Sequence, residues 1–113
     1  MTESEFLALA EAALDAIEAA LDRAAMTDAV DVECSRSGNV LEIEFVDNGS
    51  KIIVNSQAPM CEMWVAAKSG GFHYRHDGAQ WRNTRDGTEL FAALSAMVSQ
   101  QGGAAVVLSD QSS

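Results

Sequence analysis

Four carboxylates, Glu11, Asp15, Glu18 and Asp22, follow one another at intervals of four, three and four residues. At about 100° per residue of helix they fall within roughly 60° of one another, a stripe along one helix edge. Like charges at these spacings cost a few tenths of a kcal/mol per pair, roughly 1 kcal/mol for the stripe. Against a net stability of about 5–15 kcal/mol that is tolerable but real, and a lysine at one of these places would remove it. Carboxylate oxygens suit hard cations such as Fe³⁺, Mn²⁺, Mg²⁺ and Ca²⁺, and accept Fe²⁺. No histidine or cysteine interleaves the stripe, so the chemistry it permits is weak, exchangeable binding rather than a tight cage. Taken alone, such a stripe is more often a solvated face.

The charge around it alters that weighting. Residues 1–47 hold twelve of the seventeen carboxylates against Arg23 and Arg36, and this difference equals the whole net charge of −10. The remaining residues balance, five acids against five bases. A lasting negative field over one side of a small domain attracts cations or a basic partner and repels nucleic acid and anionic membrane. No run of eighteen apolar residues and no charged-then-apolar start is present, so a soluble cytoplasmic protein is the expectation.

Other chemistry is sparse. Cys34 and Cys61 lack CxxC spacing and read as reduced thiols packed as small apolar groups. His73 and His76 stand far from the stripe in sequence and read as surface or hydrogen-bonded residues, with an auxiliary ligand as the lesser alternative. Gly70-Gly71 lacks phosphate-loop context. No nucleophile–base pairing suggests itself, and an enzyme is not expected. Trp64 is either a core residue or, beside polar Asn55 and Gln57, an exposed anchor for a protein partner; its apolar neighbours on both sides leave the facing open.

The elements that position these groups follow from the periodicity. Thr2 with Glu5 forms a capping box for a helix from Glu3 to about Ala24, whose apolar side is Phe6, Leu9, Ala10, Ala13, Ile17, Ala20 and Leu21. Then the period becomes two. Val30, Val32 and Cys34 alternate with Asp31, Glu33 and Ser35, and Leu41, Ile43 and Phe45 with Glu42 and Glu44. If the first strand lies beside the helix, Asp31 and Glu33 extend the stripe into a ridge. Asp47-Asn48-Gly49 is a hairpin turn before a third strand, Lys51–Val54. After Pro59 come a fourth strand from Met60 to Ala67, a fifth at Phe72–Arg75 and a short sixth around Trp81. Asp86 with Glu89 signals a last helix reaching about Gln100. Strands joined by tight turns pair antiparallel, and two one-faced helices cover one side of the sheet. The expected fold is an α+β two-layer sandwich over residues 1–103, with 104–113 a tail of uncertain order.

The central run Asn55-Ser56-Gln57-Ala58-Pro59, then Trp64-Val65-Ala66-Ala67-Lys68 and Gly70-Gly71-Phe72-His73, resembles the signature of the frataxin family in its bacterial form. Trp81 and Asp86-Gly87-Thr88-Glu89 also fit. The resemblance implies an iron-binding regulator of iron–sulfur cluster assembly that holds iron (Fe²⁺ or Fe³⁺) weakly and exchangeably. It also implies docking on the cysteine desulfurase and its scaffold complex, and a monomer in the absence of iron. It places Glu11, Glu18, Asp22, Asp31, Glu33 and Glu44 on the iron-binding ridge, with Asp15 added on spacing alone. It places Asn55, Gln57 and Trp64 on the exposed sheet surface, and makes Glu18, Asp22 and that surface the partner-binding residues. Arg23 is a departure: it falls where many family members carry further acids, so fewer or weaker iron sites follow. The alternative is an acidic interaction module whose iron binding is incidental to its charge. A ferroxidase that stores iron would need clustered sites or oligomers, and is the least favoured reading.

Overall fold

The computed structural model of the chain describes residues 1–108. Helix α1 spans Glu3–Met26, two residues beyond the predicted end. The capping box is formed: the Thr2 hydroxyl accepts from the Glu5 amide at 3.1 Å, and the Glu5 carboxylate from the Thr2 amide at 3.0 Å. These bonds satisfy two of the amides that every helix start leaves orphaned. The buried stripe is Phe6, Ala10, Ala13, Leu14, Ile17, Ala20 and Leu21, so Leu14 joins the predicted set and Leu9 is only half-buried.

Six strands follow as an antiparallel meander in chain order: β1 Val32–Ser37, β2 Val40–Phe45, β3 Lys51–Gln57, β4 Glu62–Ala67, β5 Gly70–His76 and β6 Trp81–Asn83. The alternation fixes which residues face the helices. Leu41, Ile43, Phe45, Ile52, Val54, Met63, Val65 and Tyr74 are buried on the inner face. With α1 and the second helix, α2 (Leu90–Gly102), they form one core on a single side of the sheet. The other side is open, which is the expected two-layer sandwich.

Two local expectations shift. The fourth strand begins at Glu62 instead of Met60, because Pro59 starts a short 3-10 turn at Ala58–Met60 and Cys61 follows in the left-handed region. The last helix starts later than the Asp86 signal suggested. Glu89 itself is the N-cap, its carboxylate accepting from the amides of Phe91 and Ala92, while Asp86 accepts from Thr88 and closes the preceding turn.

The end of α2 is tied down tightly. Gln101, buried, accepts from the Lys68 amide and donates to Ser50, joining the helix to both the β2–β3 and β4–β5 connections. A Cβ on Gly102 would lie 2.8 Å from Val30, so glycine is what lets the helix end approach this closely. Residues 104–108 of the predicted tail return along α2 with Val106 and Leu108 buried. Ser99 accepts from the Val106 amide and Ser95 from the Leu108 amide, each at 2.8 Å. Residues 109–113 of that tail lie outside the described residues. Among the described residues no helix is long and apolar enough to cross a membrane.

Candidate functional site

The stripe Glu11, Asp15, Glu18 and Asp22 runs along α1 beside β1, the edge strand of the sheet. Glu11, Asp15 and Asp22 are exposed and Glu18 is half-buried. On β1 the inward phase carries Cys34 and Arg36, paired with buried Ile43 and Leu41, so these two side chains meet α1. Glu33 has the opposite phase. It pairs with Glu44 on the outer face of the sheet, and Asp31 is exposed at the mouth of the strand. The seven acids singled out from sequence therefore wrap around one sheet edge, four on the helix and three on or beside the edge strand β1 and its neighbour β2. Among the described residues no three His, Cys, Asp or Glu side chains converge as a preformed metal cage.

Two bases enter this surface that sequence reading had not placed there. The Arg36 guanidinium lies 2.7 Å from Asp15 and 3.7 Å from Glu18, with its Nε donating to the Gly38 carbonyl at 3.0 Å. Its side chain is only 20% exposed, so the cation is held and not merely nearby. A groove of about 330 Å³, lined by Glu11, Arg36, Leu7 and Leu14 among others, opens beside it. Arg36 could have been noticed, because it continues the inward phase of Val32 and Cys34; its partner, 21 residues away, could not. Lys51 makes a 2.7 Å pair with Glu42 and faces Glu44 across the β2–β3 ladder. The hydrogen bond from Lys51 to Glu42, aided by the Glu44 charge, pushes the Lys51 ammonium above its usual range. Arg23, the base that the sequence placed in the ridge, stands in the last turn of α1.

Cys34 sits within the field of the stripe. Burial first, and then the charges of Asp22 and Glu18, push its thiol up to about 11. A thiol held protonated is a poor metal ligand and a poor nucleophile near neutrality, so the ridge chemistry is that of oxygen donors.

The outer face of the sheet carries the second candidate surface. Asn55, Trp64 and His73 are register partners across β3, β4 and β5. Asn55, Gln57 and Trp64 all face outward and are half-buried, so the ambiguity over Trp64 resolves to the outer face, away from the core. Trp64 stacks on His73 with ring centroids 4.5 Å apart and planes 7° from parallel. Its Nε1 donates to Glu62 at 2.9 Å. Glu62, only 5% exposed, also accepts from Arg75 at 2.9 Å and lies 3.4 Å from His73 Nδ1. Burial alone would push the Glu62 carboxyl up. The hydrogen bonds from Trp64 and Arg75, with the charges of Arg75 and His73, together outweigh it and hold Glu62 below the usual carboxylate range. Asn55 Oδ1 is shielded from solvent with no hydrogen-bond partner among the described residues. His76 takes the structural role expected of it, accepting from the Gly78 amide and meeting the Trp81 ring edge-on.

A family model for the frataxin-like domain matches residues 1–104. The chain belongs to the frataxin-like family. This frataxin-like chain is 74% identical over 110 residues to a protein of Herminiimonas arsenicoxydans named iron-sulfur cluster assembly protein CyaY, covering 97% of this chain and 98% of the relative. The relative of the same name from Cupriavidus pinatubonensis is 64% identical over 108 residues, covering 96% of each. Those relatives are named as assembly proteins, not as enzymes. Among solved structures, frataxin from Psychromonas ingrahamii superposes with a TM-score of 0.86 at 31% identity, covering 96% of this chain and 99% of that one. Trimeric yeast frataxin complexed with ferrous iron gives 0.67 at 26% identity, covering 83% and 85%. Two helices on one face of a six-stranded antiparallel sheet are the frataxin fold.

Proposed function

We propose that this chain serves iron–sulfur cluster assembly as a cytoplasmic, iron-binding adaptor, monomeric without iron, that docks on the cysteine desulfurase and its scaffold complex and modulates sulfur delivery. The observation that carries the reading is the α1 stripe: carboxylates spread along a helix edge, most of them exposed, in a chain of this family. Their spread means that a cation meets one or two carboxylates at a time, with water completing its shell. Iron held this way exchanges readily, as a cargo passed to a partner must. Asp31, Glu33 and Glu44 extend the same field around the sheet edge and supply secondary positions. Glu18 and Asp22 serve docking as well as iron, through charge complementarity with a basic partner. The outer face contributes Asn55, Gln57 and Trp64. The ferrous complex of the yeast relative supports iron as the cargo.

The test is an anaerobic Fe²⁺ titration of the wild type and of Glu18→Lys with Asp22→Lys. The double variant is expected to bind iron several-fold more weakly. Full displacement of Fe²⁺ from the wild type by equimolar Mg²⁺ or Ca²⁺ would instead make iron a generic counter-ion and leave an acidic interaction module.

A further inference from the structure

Glu62 is a carboxylate almost fully withdrawn from water on the open face of a sheet, where nothing in the fold requires a charge. Its two oxygens are committed to three neighbours: the Trp64 indole N–H, the Arg75 guanidinium and the His73 ring. The indole is therefore fixed twice, by the hydrogen bond at its edge and by His73 stacked on its face. A half-buried tryptophan without such partners would keep several rotamers, each of which a docking partner would have to freeze out. Beside the fixed ring lies a shallow dent of about 160 Å³, bordered by Ile53, Asn55, Trp64, Ala66, Gly71 and His73. The dent exists because Ala66 and Gly71 are small; a Cβ on Gly71 would meet nothing within 4 Å.

We infer that Glu62 is a positioning residue: with Arg75 it locks Trp64 as the wall of this dent, ready to receive an apolar side chain of the docking partner. The indole N–H is spent inside the chain, so Trp64 offers the partner a ring surface and no hydrogen-bond donor. This inference rests on the reading of the outer face as a docking surface for the desulfurase complex. It adds to that reading a residue that touches no partner and the chemistry of the group that enters.

The experiment has a readout without partner and one with it. Solvent exchange of the Trp64 indole N–H, followed by NMR in the chain alone, is expected to be slow in the wild type and in Glu62→Gln, whose amide oxygen still accepts. It is expected to become fast in Glu62→Ala. Affinity for the purified cysteine desulfurase should follow the same order: within about twofold of wild type for Glu62→Gln and about fivefold weaker for Glu62→Ala, the loss that corresponds to freezing one side chain on binding. Should Glu62→Ala fold poorly, Arg75→Ala removes the clamp from an exposed position and is expected to give a smaller loss of the same kind. If Glu62→Ala and Arg75→Ala keep wild-type affinity while Trp64→Ala loses it, the positioning role is wrong and the docking face stands. If Trp64→Ala binds like the wild type, the docking face falls and this inference with it.

Discussion

Arg36 is the residue that most changes the ridge. It sits 2.7 Å from Asp15 and 3.7 Å from Glu18, so it acts as a tethered counter-ion in the middle of the stripe. It relieves part of the like-charge repulsion that the spacing of the stripe builds in, and it competes with any cation for the same oxygens. Arg36→Gln is therefore expected to bind Fe²⁺ several-fold more tightly in an anaerobic titration. A stability loss of no more than about 1 kcal/mol should accompany it, because the Asp15 end of the pair is largely exposed. Glu62 sets a different kind of dependence. Its pKa is lower folded than unfolded, so the stability it contributes is complete above the ordinary glutamate value of about 4.3 and is lost as pH falls through the folded value. In urea unfolding followed as pH is lowered from about 6 through the ordinary glutamate range, Glu62→Gln should show a shallower acid loss than the wild type. Neither pairing was visible in the sequence. Glu62 shares the strand phase of Trp64 two residues on, but the arginine that holds it arrives from another strand. Phase tells which face a side chain takes, and only the strand register tells whom it meets there.

At the scale of elements, periodicity carried most of the fold. The capping box of α1, the six strands and the hairpin turns are local signals, and each formed in the expected order, with strand ends shifted by two or three residues, as where β4 begins at Glu62. What local spacing could not supply was the order of competing caps, where Glu89 superseded Asp86, and the facing of β4, where apolar residues on both sides of Trp64 hid the pleat. The acids of β1 show the same limit. Alternation assigned Glu33 to a face, and only the pairing with β2 shows that this face looks away from α1. The segment after α2 is a further case. Gly102 and Gly103 end the helix as the sequence suggested, yet residues 104–108 are not loose: Ser95 and Ser99, four apart on the helix, hold the returning backbone. Burial of Val106 and Leu108 is worth about 1.5–3 kcal/mol each when complete. Removing residues 104–113 should thus lower the unfolding free energy by about 3 kcal/mol, measured by urea denaturation, with the iron affinity of the α1 stripe unchanged.

The whole molecule is two-sided. Its entire net charge of −10 arises in residues 1–47, which build α1 and the β1–β2 edge, while the later strands are balanced. The negative field thus surrounds the stripe at one edge of the sheet, and Trp64 with its network lies on the open face further along the same sheet. One partner can meet both, guided by the field and seated by the tryptophan. Screening weakens the first contribution and spares the second, so part of the affinity should survive high salt. Iron and the docking partner are proposed to share the stripe. Calorimetric binding to the cysteine desulfurase, anaerobically at moderate salt with and without Fe²⁺, tests it most directly when run on the wild type and on Glu18→Lys with Asp22→Lys. Wild-type binding is expected to change when iron is added, and the double variant to lose most of both the binding and its iron response. A double variant that docks like the wild type, or wild-type docking indifferent to iron, would contradict a shared stripe.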